Sequence, residues 1–199
     1  MTGDPFGQRD YSGQQFRDLQ LAGAQLQGLR FEDCRFEHCD FSAATLRDCR
    51  IRDCSFADCN LSLVRFAGSQ VDARFADSKL VGVDWTQAYW PTVRLGGTLA
   101  FERCALNDSS FFGLSLRELQ VLECRAHEVD FTEADLEDAD FRHSDLRGAI
   151  FRRSRLARVD FREAVNYRID VFLNDIKHAR FALPEAVALL DSLDIELSE

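Results

Sequence analysis

From Asp130 to Phe151 the chain reads DFTEADLEDADFRHSDLRGAIF, with a large apolar residue at every fifth position: Phe131, Leu136, Phe141, Leu146 and Phe151. An amphipathic helix would place apolar residues three and four apart, and a half-buried strand would place them at every second position. A period of five fits neither. The same beat runs unbroken from Tyr11 through Phe31, Phe36 and Phe41 to Val71, loses one residue before Phe75, and gains one near Gly96-Gly97 before Phe101. It then continues to Phe161, and most of these centres are Phe or Leu. A second ladder lies two residues before each centre, and from Leu19 to Val159 it holds only Ala, Cys, Ser, Val or Leu. Neither ladder carries a charge over that span, although 29% of the chain is Asp, Glu, Lys or Arg. Self-similarity on this scale marks a repeat array.

A chain that turns a corner every five residues satisfies both ladders. One large and one small side chain point inward, and three point out and carry the charges. Four such sides close a square coil of about 20 residues, and coils stack at roughly 4.8 Å, the spacing of adjacent strands. Offset aromatic pairs are favourable at such separations. Each buried centre contributes about 1.5–3 kcal/mol against exposure, most of it cancelled by chain ordering. Stability then accumulates almost additively along the stack.

The units Ala134-Asp135-Leu136-Glu137-Asp138 and Cys59-Asn60-Leu61-Ser62-Leu63 resemble those of the pentapeptide-repeat proteins. The resemblance implies an all-β solenoid, a right-handed quadrilateral β-helix of about 8 coils. The expected organisation is an N-terminal tail over 1–10, the β-helix over 11–181 with a register slip around 71–101, and a C-terminal helix and tail over 182–199. A bulge or kink is expected at the slip, which also contains Trp85, Trp90 and Pro91.

With a formal charge of −10 and a pI near 4.9, the chain lacks the basic character of a nucleic-acid binder. Its start, MTGDPFGQRDYSG, has no signal-peptide pattern, and no apolar run approaches a membrane span. The expected location is the cytoplasm, where the Asn60-Leu61-Ser62 and Asn107-Asp108-Ser109 triplets carry no sugar. Cys34, Cys39, Cys49, Cys54, Cys59, Cys104 and Cys124 all fall on the small inward ladder. They are expected as buried free thiols, packed as small hydrophobes. His38, His127, His143 and His178 project outward without converging, so neither a metal nor any other cofactor is expected. Catalytic motifs are missing from the sequence, and carboxylate pairs such as Glu137/Asp138 sit on a convex surface with no cleft to tune them. The expectation is a protein that is not an enzyme. Outward residues such as Asp145 should tolerate replacement by Ala.

Past Phe161 the ladder loosens, and LPEAVALLDSL follows. Pro184 and Glu185 mark a helix start, with an apolar stripe of Ala186, Val187, Leu190 and Leu193. Together with Leu189, Ile195 and Leu197 it suits two roles: a lid over the open end of the coil, and a two-fold junction with a second chain. The ending PEAVALLDSLDIELSE resembles the C-terminal dimerisation module of the Qnr, MfpA and AlbG kinds of topoisomerase-poison resistance protein. The segments at 31–41 and 174–186, and a near-absence of insertions, are closest to the AlbG kind. The resemblance implies a homodimer that occupies the DNA saddle of DNA gyrase as a duplex mimic and counters poisons such as fluoroquinolones or albicidin. A generic scaffold with another protein target is the alternative.

The acidic run Glu128, Asp130, Glu133, Asp135, Glu137, Asp138 and Asp140 is the expected mimic surface, flanked by a basic patch from Arg152 to Arg162. Residues 185–199 hold five acids and no base. A rod of about 40 Å would match a duplex length carrying about 24 phosphates, so the copy is weak on average. Counting four sides per coil puts Tyr89, Pro91, Phe112, Ile150, Phe172 and Leu173 on one side, a second contact face.

Overall fold

The structure, a computed structural model, describes residues 6–91 and 99–195. It is a four-sided β-solenoid with short strands: β1 (Asp10–Ser12), β2 (Gln15–Arg17), β3 (Gln25–Gln27), β4 (Arg30–Glu32), β5 (Arg35–Glu37), β6 (Thr45–Arg47), β7 (Arg50–Ala57), β8 (Gln70–Ala76), β9 (Ala100–Glu102) and β10 (Gln120–Leu122). All pairing between them is parallel, in the order β1-β4-β7-β8-β9-β10, with β2 against β5, β5 against β7, and β3 against β6. This strand ladder is shorter than the eight coils expected from sequence. Past β10 the stacking goes on through single-residue bridges such as Asp140↔Asp160 and Asp160↔Arg180.

Each five-residue side has the same anatomy. The centre is buried and sends its N–H to the next coil, as Leu21 does to the Asp40 carbonyl at 2.7 Å and Phe131 to that of Ile150 at 2.9 Å. The second residue after the centre has a positive φ along nearly the whole array, from Asp18 at 54° to His178 at 61°. At corners such as Phe41–Ala44 and Phe131–Ala134 a hydrogen bond from the fourth residue back to the first closes the turn. Positive φ at the third residue of such a turn favours Gly, Asn and Asp. The chain meets this with residues such as Gly23, Asp33, Asp48, Gly113 and Asp138, but uses Glu at 118, 123, 128 and 133.

The inward ladder forms one continuous core. Phe31, Phe36, Phe41, Phe131, Leu136, Phe141, Leu146 and Phe151 are all buried. Rings stack one coil apart, with Phe36 on Phe56 at 4.6 Å and Phe131 on Phe151 at 5.1 Å. The small inward residues also satisfy the backbone. Ser69 Oγ donates to the Leu46 carbonyl at 2.8 Å and accepts the Cys49 N–H at 2.8 Å, and Ser144 does the same between Val121 and Cys124. Cysteines fill equivalent places. The Cys59 and Cys104 thiols face the Phe36 and Phe75 carbonyls, and all seven cysteines are free and buried. Burial pushes the Cys54 thiol up to about 12. Because all seven thiols are buried, reagents should label native protein slowly at every position and denatured protein rapidly. Fast native labelling of several would contradict this packing.

The register departs from a strict 20-residue turn in two places. Between β7 and β8 the pairing steps from Ile51↔Val71 to Cys54↔Ala73, so that β8 has one residue fewer than β7 across this corner. The next turn is longer: Phe75 pairs with Phe101 and Asp84 with Ser110, 26 residues on. Six residues are thus inserted where a near-absence of insertions was expected. The insertion is almost in phase with the repeat, so Trp90 and Leu95 kept the five-residue beat and concealed it; Leu95 lies outside the described residues. Trp85, stacked between Phe66 at 5.2 Å and Phe111 at 5.7 Å, shows which sides are in line across the insertion.

Both ends are covered. Phe6, read as part of the tail, is 5% exposed and meets Tyr11, Phe16 and Phe31 edge-on, plugging the first coil. At the other end a 3-10 helix spans Glu185–Leu193 behind Pro184. The N–H of Asn166 reaches Glu185 Oε2 at 3.4 Å, and that of Val171 reaches Ser192 Oγ at 3.4 Å. Side chains of this segment thus take the part that the carbonyls of a further coil would play.

Candidate functional site

The acidic run lies on adjacent sides of the C-terminal half, and its members do different work. Asp130, Asp135 and Asp140 stand just before a centre, and each accepts the N–H two residues on, at Thr132, Glu137 and Arg142. This is the Asx turn, a local cap that explains why Asp recurs at this place in the repeat. Most of the carboxylates are also paired across coils. Glu133 meets Arg153 at 2.6 Å, Asp135 meets Arg117 at 2.9 Å, and Asp138 meets Arg158 at 2.7 Å. Glu137 is only 9% exposed, with Arg117 at 2.8 Å, Arg155 at 3.4 Å and Arg158 all upon it. Asp140 is held by Arg142 at 2.7 Å. Glu128 has no ion pair among the described residues, and its carboxylate fills the space that a Cβ at Gly148 would need. The Arg153, Arg155 and Arg158 part of the expected basic patch is therefore the counter-charge of the acidic run.

Sequence reasoning missed this neutralisation because the pairs join residues about 20 apart, and their partners follow only from the register. One expectation is corrected outright. Asp145, taken as a tolerant outward residue, accepts the Arg147 N–H at 3.2 Å, Asn166 Nδ2 at 2.8 Å and His127 Nε2 at 2.7 Å. Burial acts to raise its carboxyl, but the bonds from Asn166, His127 and Arg147 outweigh that and hold it below the usual carboxylate range. Asp145→Ala strips three donors of their acceptor and should cost about 1–3 kcal/mol in urea unfolding at neutral pH. A folded-state value below the unfolded one, about 3.9, stabilises above that pH and is lost as pH falls through the folded value. The gap between wild type and variant should close in acid. Equal stability at pH 7 would show that the network carries nothing.

The 3-10 segment has no fully buried residue. Leu189 packs against the core, whereas Leu183, Val187, Leu193 and Ile195 are exposed, Leu183 by 81%. Leu190 is half-buried, and Leu197 lies outside the described residues. A lid alone would turn these side chains onto the coil. Of the expected second face, Tyr89 and Phe112 are both exposed, at 58% and 47%, but they occupy adjacent sides. Phe112 follows Ser110, which bridges to Asp84 and Asp130, and Ile150 sits on that same side; Tyr89 opens the next one, its N–H donating to Ser69. The six-residue insertion is the reason the count of four sides put them together.

A family model described as the pentapeptide repeat region matches residues 29–100 and 98–165. The chain belongs to the pentapeptide-repeat family. No curated protein matches the sequence. Among solved structures, a trypsin-treated variant of QnrB1, a plasmid-mediated fluoroquinolone resistance protein, aligns with a TM-score of 0.71 at 14% identity, covering 95% of this chain and 100% of that one. Full-length QnrB1 aligns at 0.57 and 18% identity, over 94% and 100% of the two chains. HetL of the cyanobacterium Nostoc sp., a pentapeptide-repeat protein involved in heterocyst differentiation regulation, aligns at 0.66 and 18% identity, over 87% of each. At these identities the likeness is one of fold. No helix among the described residues is long and apolar enough to cross a membrane.

Proposed function

We propose that this pentapeptide-repeat protein binds DNA gyrase as a mimic of duplex DNA and protects it from poisons such as fluoroquinolones or albicidin. In this reading it is a non-enzymatic homodimer joined through Val187, Leu189, Leu190, Leu193, Ile195 and Leu197, and it serves resistance or self-immunity. The segments at 31–41 and 174–186 favour the AlbG kind. The observation that carries the reading is the coincidence, at the C-terminal end of the solenoid, of exposed apolar residues with a stretch of sequence that holds acids and no base. Residues 185–199 hold five acids and no base, half of the net charge of −10, while the run from Glu128 to Asp140 is largely neutralised by arginine. A two-fold junction at this end doubles that charge at the middle of the rod, where it would face a positively charged DNA saddle. The mimicry is thus centred on the junction, and less on the acidic run than the sequence alone implies.

The second reading, a scaffold for another protein target, is favoured by the similar fold of HetL. Binding to purified gyrase with duplex DNA as competitor separates the two. Mutual displacement of protein and DNA is expected; no binding, or a stable complex holding gyrase, DNA and this protein together, would overturn the proposal in favour of the scaffold.

A further inference from the structure

A shallow groove of about 580 Å³ in the C-terminal half is lined by Asp138, Asp140, Asp160 and four arginines, Arg142, Arg158, Arg162 and Arg180. Three of these arginines are each held side-on by an aspartate. Arg142 donates Nε and Nη2 to Asp140 at 2.9 and 2.7 Å, Arg162 does the same to Asp160 at 2.9 and 2.7 Å, and Arg158 to Asp138 at 2.7 and 2.8 Å. Asp140 bridges to Asp160, so Arg142 and Arg162 occupy the same place in successive coils, at roughly 4.8 Å spacing. Such pairing fixes the planes of the guanidinium groups and removes the entropy cost of ordering them later.

Hydrogen-bond capacity then decides what the groove can take. Both oxygens of Asp138, Asp140 and Asp160 already accept bonds from arginine. The Nη1 groups of Arg142, Arg158 and Arg162 make no hydrogen bond to any described residue, and Nη1 of Arg180 stands 3.7 Å from Asp160, beyond hydrogen-bond reach. Every one of these aspartate oxygens already has an arginine donor, while arginine N–H groups remain without an acceptor among the described residues. Counting Glu137 behind Arg158, the formal charges of the groove balance, whereas the whole chain carries −10. The groove is therefore a donor-rich, uncharged strip on an acidic protein.

We infer that this groove binds a phosphoryl group, as inorganic phosphate or at the end of a small phosphorylated molecule. A tetrahedral oxyanion has oxygens enough for the stacked Nη1 edges of Arg142 and Arg162 and for Arg158 and Arg180 of the same lining; a flat carboxylate, with two oxygens in one plane, serves fewer of them. Phosphate here would also stiffen the last coils, since it ties the side carrying Arg142 to that carrying Arg158.

Arginine Nε–Hε resonances of the full chain, followed at low ionic strength against inorganic phosphate, pyrophosphate and acetate, test this directly. Saturable shifts at Arg142 and Arg162 are expected with phosphate and pyrophosphate, with acetate about tenfold weaker or worse. Arg162→Gln would leave Asp160 short of donors and endanger folding, so the chosen variant is Arg180→Gln, two-thirds exposed and held to Asp160 only by an ion pair at 3.7 Å. It should weaken phosphate severalfold while the melting temperature holds. Shifts that stay linear in concentration, that acetate reproduces equally, or that Arg180→Gln leaves unchanged would overturn the assignment.

Discussion

Phe141→Asp is expected to break the solenoid in two. Phe141 is fully buried, stacked on Phe161 at 5.3 Å and edge-on to Phe131 at 5.4 Å and Phe151 at 5.9 Å. The substitution removes an aromatic ring, about 3–5 kcal/mol by analogy with Phe→Ala changes. It also places a carboxylate among rings with no cation in reach, several kcal/mol more. The sum rivals the whole stability of an ordinary domain, about 5–15 kcal/mol. In a solenoid the loss falls on neighbouring coils, so β signal should drop by the share of the C-terminal coils and protease should cut near residue 141. Wild-type melting in this variant would refute the five-residue register.

The second large effect is expected at the junction. Leu193 is 39% exposed and Leu190 half-buried in the single chain, and in the proposed dimer both are covered by the partner. Replacing the pair by Asp sets two charges into that contact, each facing several kcal/mol of uncompensated desolvation. The repeats keep their stacking, because the core over residues 11–161 does not use these side chains. The expected product is a soluble monomer by light scattering with an unchanged β signature. A wild-type protein already monomeric at micromolar concentration would refute the junction, and a monomeric variant with full activity would refute the need for a doubled rod.

What could be read in the sequence was whatever recurs locally. A Phe or Leu at every fifth place and a small residue two before it are sufficient to place Phe36, Phe131 and Phe151 in one core, because each five-residue side repeats the same geometry. The seven cysteines followed from the same rule. What could not be read depends on which coil lies beside which. The insertion before Phe101 kept the beat and so moved Phe112 one side away from Tyr89. Glu137 looked like an exposed acid until the register set three arginines around it. Asp145 looked free until Asn166 and His127 came from the coils on either side. Phe6 lay outside the periodic span altogether, yet it closes the first coil.

The most direct test of a gyrase-protecting role is drug-induced DNA cleavage by purified gyrase, with and without this protein, across a fluoroquinolone, albicidin and an ATP-site inhibitor. Less cleaved DNA with at least one of the two poisons, at a protein concentration that leaves supercoiling measurable, is the predicted result, with no relief from the ATP-site inhibitor. Cleavage unchanged with both poisons, at concentrations where the protein is dimeric and folded, would contradict it.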